Sequence, residues 1–444
     1  MNDTTRQSGA ARTAHWQHGW AFTLFHIVPL YLQGLFTRNR FWVTVFDKLH
    51  RDPLSVRFLS RLRRKYRCQQ LFIRIGRTPA LLLMDVDSIR HVLDHSPEIY
   101  AEPAPKREGM SRFQPGAVTI SRGLAWQSRR RLNEAVLEST NALHQYAGAF
   151  SQLIMEEVNA MLHGREHLRW KDFERLFERI SLGIIFGSAS RDDTYLIRTL
   201  NHLMRNGNLA AVRRPQEQRR QHFAHALRSH LHAPEENSLV HLCATTNADG
   251  HAEIQQQVPH WMFAMNETLS VNTTRALALI AAQPEVQNEA RNALSTARLN
   301  DPNTLRQQTL LSGCLQEAMR LWPTTPMLMR EAVRDDVLGE TEVRAGTRVI
   351  IFNSFNHRDA EADPSADTFQ PQRWGNGHVD YRVNHLSNGM QVCAGKHLAL
   401  FIGTAVLANL LKPHRYRLER PNIDSWRALP WKLNHYRLRF HVAT

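Results

Sequence analysis

The chain has 444 residues, 42% hydrophobic and 22% charged, ordinary globular usage that excludes long disorder, collagen-like repeats and a many-pass membrane protein. Its formal charge is +15, from 56 Lys and Arg against 41 Asp and Glu, which admits an acidic protein, an anionic membrane face or nucleic acid as partner without choosing among them. Four cysteines, Cys68, Cys243, Cys314 and Cys393, are too few for a disulfide scaffold, so a reducing, cytoplasmic compartment is expected.

No internal repeat or low-complexity run divides the chain, so the expected organisation is an N-terminal extension over 1–40 and one large domain over 41–444. Within the extension, Trp20 to Phe36 is aromatic and aliphatic, with Arg6 and Arg12 before it and Arg38 and Arg40 after. It sits at the short limit for a membrane-spanning helix, about 17 to 25 residues, and His26, Pro29 and Gln33 interrupt it. No small-residue cleavage site follows, which argues against a secretory signal. Two readings stand: an interfacial membrane-contact segment over 20–36, or a helix packed on the body.

Pro53 begins a predicted helix through Leu62 and Arg64, and Leu71 to Ile75 and Ala80 to Met84 read as paired strands around a turn at Gly76. Most later segments look helical, with openings at Gln283-Pro284 and Asp301-Pro302. The expected class is mainly α with small β-sheets. His222, His225, His230, His232, His241 and Cys243 form a His-rich stretch, but no Cys pair closes a zinc pattern, and solvated helix histidines are the plainer reading. His260 to Ile280 reads as a helix with polar residues set into an apolar body, where a Thr or Ser ordinarily bonds back to a carbonyl one turn earlier.

Glu317 and Arg320 are spaced i, i+3 on a predicted helix that stops before Pro323, so they share a face. Arg373, in Phe369-Gln-Pro-Gln-Arg-Trp374, is a second guanidinium able to share that carboxylate if the chain folds back, a costly lock kept where geometry must be held. Cys393 stands just before a helix expected to begin past Gly395, with the apolar stripe Leu398, Phe401, Ile402, Ala405, Leu407 and Leu410. Free N–H groups and the positive dipole end favour a thiolate there, which is what an axial iron ligand needs to be. Gly389 and Gly395 flank the thiol and permit a close backbone approach.

The ordered set Glu317-x-x-Arg320, Phe369-x-Pro-x-Arg373-Trp374 and Gly389-x-x-x-Cys393-x-Gly395 resembles the signature series of the cytochrome P-450 haem-thiolate monooxygenases, from about Asp52 to the C-terminus. The resemblance implies the cytochrome P-450 fold as a single large haem domain. It also implies haem b (iron protoporphyrin IX) with Cys393 as axial ligand, and Glu317, Arg320 and Arg373 as the family's structural triad. Trp126 and Arg130, in Trp126-x-x-x-Arg130, together with Arg330 and Gln391, match positions that hold the haem propionates. Leu386 stands where the family usually has Phe, and Gln391 where it usually has Arg or His, so Gln391 brings a hydrogen bond without charge.

Ala264-Met265-Asn266-Glu267-Thr268 resembles the family's oxygen-activating motif, which implies that Thr268 holds the oxygen ligand and water while Glu267 relays protons. Met265 occupies a position where Gly is usual and is expected to narrow the distal pocket. By resemblance the pocket is lined by Phe113, Gln114, Pro115, Val118, Phe263, Ala264, Met265, Thr325 and Met327. Most are apolar, which implies a lipophilic or aromatic substrate.

The implied activity is insertion of one atom of dioxygen into that substrate, an oxidoreductase reaction. No flavin, nicotinamide or iron–sulfur fingerprint is present, which implies a separate ferredoxin or flavoprotein reductase. An acidic carrier would suit Arg122, Arg129, Arg131 and Lys396. The alternative within the family is a peroxygenase or isomerase needing no reductase. Farther off are a His-rich metal-binding protein and a basic nucleic-acid-binding protein, although no nucleic-acid motif is recognised.

Overall fold

The computed structural model describes residues 11–246, 251–375, 380–423 and 429–443, and Arg6, expected to flank the apolar N-terminal segment, lies outside the described residues. Helices dominate, with three small sheets. The expected helix from Pro53 is Arg51–Tyr66, and the expected strands are Gln70–Ile75 and Thr78–Leu83. These two strands pair antiparallel, Leu71 opposite Leu82 and Ile73 opposite Ala80, around Gly76 at φ 60°. Leu71 and Ile73 are buried, so burying their face fixes the register. Arg348–Ile351, Leu328–Ala332 and Tyr100–Ala101 extend the sheet on one side and Arg12–Thr13 on the other.

The main core is organised around Lys396–Leu411, buried without a break from Phe401 to Leu411. A helix apolar on all sides has to run through the interior. It packs against Ala147–Leu162, Thr309–Leu321 and Ser270–Ala281. The long polar-in-apolar segment is a helix in three parts. His251–Phe263 contains Pro259, Ala264–Leu269 is a π-helical turn, and Ser270–Ala281 continues to the end. Such turns add a residue to the helical repeat and occur often at functional sites.

Each reading of residues 20–36 describes one side of the same element. Trp16–Phe22, the π turn Thr23–Ile27 and Val28–Gln33 form one rod. Phe22, His26 and Leu30 face inward, with Ser55 Oγ 2.7 Å from His26 Nδ1. Trp16, Trp20, Leu24, Val28 and Leu32 are exposed on the other face. Pro29 interrupts nothing, because it falls in the first turn of Val28–Gln33, where a missing N–H is tolerated.

The segment before residue 41 makes contacts with the rest of the chain. Arg12 and Thr13 pair in parallel with Leu71 and Phe72, so the segment before residue 41 is built into the body. Arg38, expected as an outward flanking charge, turns inside and donates to the carbonyls of Gly34 and Thr324, leaving Arg40 exposed.

Candidate functional site

The Cys loop is held from several directions. The Cys393 N–H donates to the Leu386 carbonyl at 2.9 Å and the Lys396 N–H to the Cys393 carbonyl at 3.2 Å. Arg130, on the helix Gly123–Val136, donates to the Val392 carbonyl at 2.6 Å and to Glu134 at 2.7 Å. Gly389 lies at φ 66°, and a Cβ there would sit 2.3 Å from the Leu93 carbonyl oxygen, so only glycine fits. Gly395 differs. Its φ is −92° and a Cβ would meet only Leu137, at 3.6 Å, so the protein itself demands no glycine there.

Cys393 is exposed, in the loop just before the helix Lys396–Leu411. Burial pushes its thiol up, while the Gly395 N–H, Arg130 and Lys396 pull down without prevailing. The helix-head N–H of Gly395 does favour the thiolate, as expected from the sequence, but desolvation opposes it more strongly. A bound cationic metal would deprotonate such a thiol. The residues fit a haem: an exposed thiol just before a helix head, and two positions ahead of it Gln391, whose amide NH2 can donate to a propionate. Trp126 is half-buried one turn before Arg130. Arg330 arrives with its charge already engaged, donating to Glu102 at 3.1 Å and to Ser96 at 3.3 Å. Glu102, which also takes Lys106 at 2.8 Å, was not foreseen from the sequence.

Glu317 and Arg320 form a fully buried bidentate pair at 2.7 and 2.8 Å. Glu317 also accepts from the Gln370 N–H at 2.8 Å and the Trp374 indole at 3.1 Å. Arg373 joins at 3.6 Å but is held chiefly by Asp363 at 2.5 Å. The helix Thr309–Leu321 is thereby tied to the segment leading towards the Cys loop.

At the π turn Thr268 is half-buried, and Glu267 accepts from the Arg38 N–H at 2.8 Å. Burial pushes the Glu267 carboxyl up, against the pull of Arg38 and Thr37. A buried carboxyl whose affinity for its proton is raised in this way suits proton relay. Glu267 also lies between two cavities. One, of about 170 Å³, is lined by Thr268, Phe263, Thr325 and Met327. The other, of about 490 Å³, is lined by Asn266, Glu174, Glu178, Arg205 and Tyr436, and reaches the surface where Glu174 and Arg205 are exposed. Burial pushes the carboxyls of Glu174 and Glu178 up as well.

The expected pocket residues divide. Phe263, Thr325 and Met327 line the first cavity, and Phe113 is buried behind Phe263 with ring centroids 6.3 Å apart. Ala264 and Val118 are half-buried without lining it, the Val118 N–H donating to Gln257 at 3.2 Å. Gln114 is buried, its amide donating to the Gln256 carbonyl at 2.6 Å, and Pro115 is exposed to neither of the two cavities' linings. Met265 is buried in the main core and is not among the residues lining this first cavity.

The expected basic face is narrower than drawn. Arg122 and Arg131 are exposed, Lys396 is half-buried and Arg129 donates to Ser121 at 2.6 Å. Among the described residues no group of three or more His, Cys, Asp or Glu is placed to hold a metal ion, and His230 is spent on Asp193 at 3.0 Å.

A family model described as Cytochrome P450 matches residues 194–433. Cytochrome P450 714C3 of Oryza sativa subsp. japonica is 32% identical over 202 residues, 42% of this chain and 40% of that protein. Cytochrome P450 4V2 of Homo sapiens is 26% identical over 184 residues, 38% and 35% of the two chains. The matched stretches thus span about two fifths or less of the length of these curated relatives. Among solved structures, the retinoic acid-bound cyanobacterial CYP120A1 superposes with a TM-score of 0.71 at 16% identity, covering 87% of this chain and 93% of that one. That likeness defines a P450 fold. The chain belongs to the cytochrome P450 family, and membership implies a haem cofactor.

Proposed function

We propose that the chain is a haem-thiolate monooxygenase that inserts one atom of dioxygen into a lipophilic substrate, with electrons from a separate acidic redox protein. The observation that carries this reading is Cys393, an exposed thiol just before a helix head in a loop fixed by the Leu386 carbonyl, Arg130 and Gly389. Bound haem b, with Cys393 as axial ligand, would supply the binding and reductive activation of dioxygen. Gln391, Trp126 and Arg130 are the groups to hold its propionates, with Arg330 oriented by Glu102. Thr268 presents its hydroxyl to the first cavity and holds a water or ligand there by a hydrogen bond. Glu267 keeps a proton and passes it on, resupplied through the second cavity from the surface beside Glu174.

Redox docking falls to the exposed Arg122 and Arg131, with Leu124 and Met390 as exposed apolar contacts between charges. Among the described residues no helix is long and apolar enough to cross a membrane. The outward stripe from Trp16 to Leu32 instead suits shallow contact with a lipid interface.

Cys393→Ser should abolish the thiolate-type absorbance of the reduced carbon monoxide adduct. Thr268→Ala should keep that absorbance while electrons are consumed without product. A thiolate-type band that survives Cys393→Ser overturns the reading, and unchanged coupling in Thr268→Ala removes Thr268 from it.

A further inference from the structure

We propose that the cavity bordered by Thr268 takes a substrate ending in a carboxylate, so that the substrate is an amphipathic acid rather than a neutral lipophile. What happens at the substrate's other end rests on the monooxygenase reading; the anion site itself rests on charges of this chain.

Part of the lining is apolar, including Leu30, Phe36, Phe263 and Met327. Set into the same wall are four cations, Arg38, Arg51, Arg275 and Lys432, brought together from four separate segments. Two of them have only neutral hydrogen-bond acceptors. Arg38 donates to the Gly34 and Thr324 carbonyls, and Arg275 to the Trp322 carbonyl at 2.7 Å and the Leu433 carbonyl at 2.9 Å. Lys432 donates to the Gln33 amide oxygen at 2.7 Å.

Two carboxylates line the cavity, Asp52 and Glu267. Asp52 is shared between two cations, its Oδ1 with Arg51 at 2.8 Å and its Oδ2 with Lys432 at 3.4 Å. Burial raises the Glu267 carboxyl and lowers Arg38, Arg275 and Lys432 alike, and by formal charge four cations line the cavity against two carboxylates. Buried cations in excess of their counter-ions are costly unless a further anion arrives.

Two imidazole nitrogens complete the site. His26 Nε2 and His435 Nδ1 are buried without partners, and both residues line the cavity. Burial pushes both imidazoles well below their ordinary value, Arg51 adding to it at His26 and Arg275, Arg38 and Lys432 at His435. When the Ser55 hydroxyl donates to His26 Nδ1, Nε2 carries the proton and can give it in a hydrogen bond to an oxyanion. A neutral hydrocarbon in this cavity would leave these donors and the surplus cations facing apolar surface; a carboxylate satisfies both.

The test compares dodecanoate with dodecanol on the haem-loaded protein, reading dissociation constants by calorimetry and the spin-state shift by absorbance. Dodecanoate should bind about tenfold or more tightly, the size of one or two charge-assisted hydrogen bonds. Lys432→Gln and Arg51→Gln should each lower that preference by about tenfold, since each removes one such bond. Asp52→Asn should tighten dodecanoate and leave dodecanol unchanged, a gain that no misfolding can imitate. Equal binding of the two ligands, or a preference indifferent to all three substitutions, overturns the proposal. If calorimetry shows the expected preference while no ligand shifts the spin state, the anion site stands and the monooxygenase reading fails.

Discussion

Replacing Glu317 by Gln keeps the side chain's shape and removes its charge, in a place where no water can compensate. Glu317 is 0% and Arg320 1% exposed. Each carboxylate oxygen receives two donors: Oε1 those of Arg320 Nε and the Trp374 indole, Oε2 those of Arg320 Nη2 and the Gln370 N–H. Whichever way the amide turns, its NH2 group meets two donors and no acceptor. Arg320 keeps the carbonyls of His357, Ala366 and Thr368, and Arg373 keeps Asp363, so part of the network survives. The loss should therefore match removal of one partner from a buried pair, about 3 to 5 kcal/mol. Arg373→Ala, which strips a partly exposed pair with a 3.6 Å reach to Glu317, should cost less. Urea midpoints followed by tryptophan fluorescence at constant slope measure both. A loss below about 1 kcal/mol for Glu317→Gln would mean that Arg320 needs no counter-charge, and the buried lock would have to be abandoned.

Two further outcomes follow from the same physics. The Glu267 carboxyl is raised by burial, so the native chain holds a proton there that the unfolded chain gives up, and stability falls as pH rises through and above the ordinary Glu range. Glu267→Gln should flatten that decline in urea midpoints measured across pH; an unaltered slope refutes the assignment. Trp20 and Leu24 are each 64% exposed on the outward stripe, so Trp20→Glu with Leu24→Glu should lower co-sedimentation with anionic lipid vesicles without moving the urea midpoint. Unchanged vesicle binding would remove that face from membrane contact.

What the sequence disclosed and what it hid separate by the range of the interaction. The Glu317–Arg320 pair was legible because i, i+3 spacing brings two side chains onto one helical face whatever the rest of the chain does. The helix after Gly395 was legible from its apolar period, and Gly389 from the need for a left-handed turn. The inward turn of Arg38 leaves no mark in local spacing, because one of its guanidinium's acceptors, the Thr324 carbonyl, lies 286 positions away. Glu102 was missed for the same reason: its partner Arg330 is 228 positions distant. Lys432 reaches Gln33 across 399 positions, so the cationic wall of the cavity exists only after folding. At Cys393 the sequence showed one of two opposing effects. A helix end is visible in sequence, but the depth of burial that opposes it is a property of the whole fold.

The π turn explains why Met265 departs from its family's usual glycine without closing the cavity. In a regular α-helix Met265 and Thr268, three apart, would share a face, and a methionine there would crowd the hydroxyl. The extra residue in Ala264–Leu269 rotates the two apart. Phe263 and Thr268 line the cavity, while Met265 is buried at 8% exposure in the main core. Met265→Ala should therefore behave as a core truncation, costing about 2 to 5 kcal/mol, rather than as an enlarged binding site. Urea midpoints read the stability, and dissociation constants for a series of carboxylates of increasing width read the cavity. If wider ligands gain affinity while the midpoint stays put, Met265 faces the cavity after all, and the turn does not have the effect assigned to it.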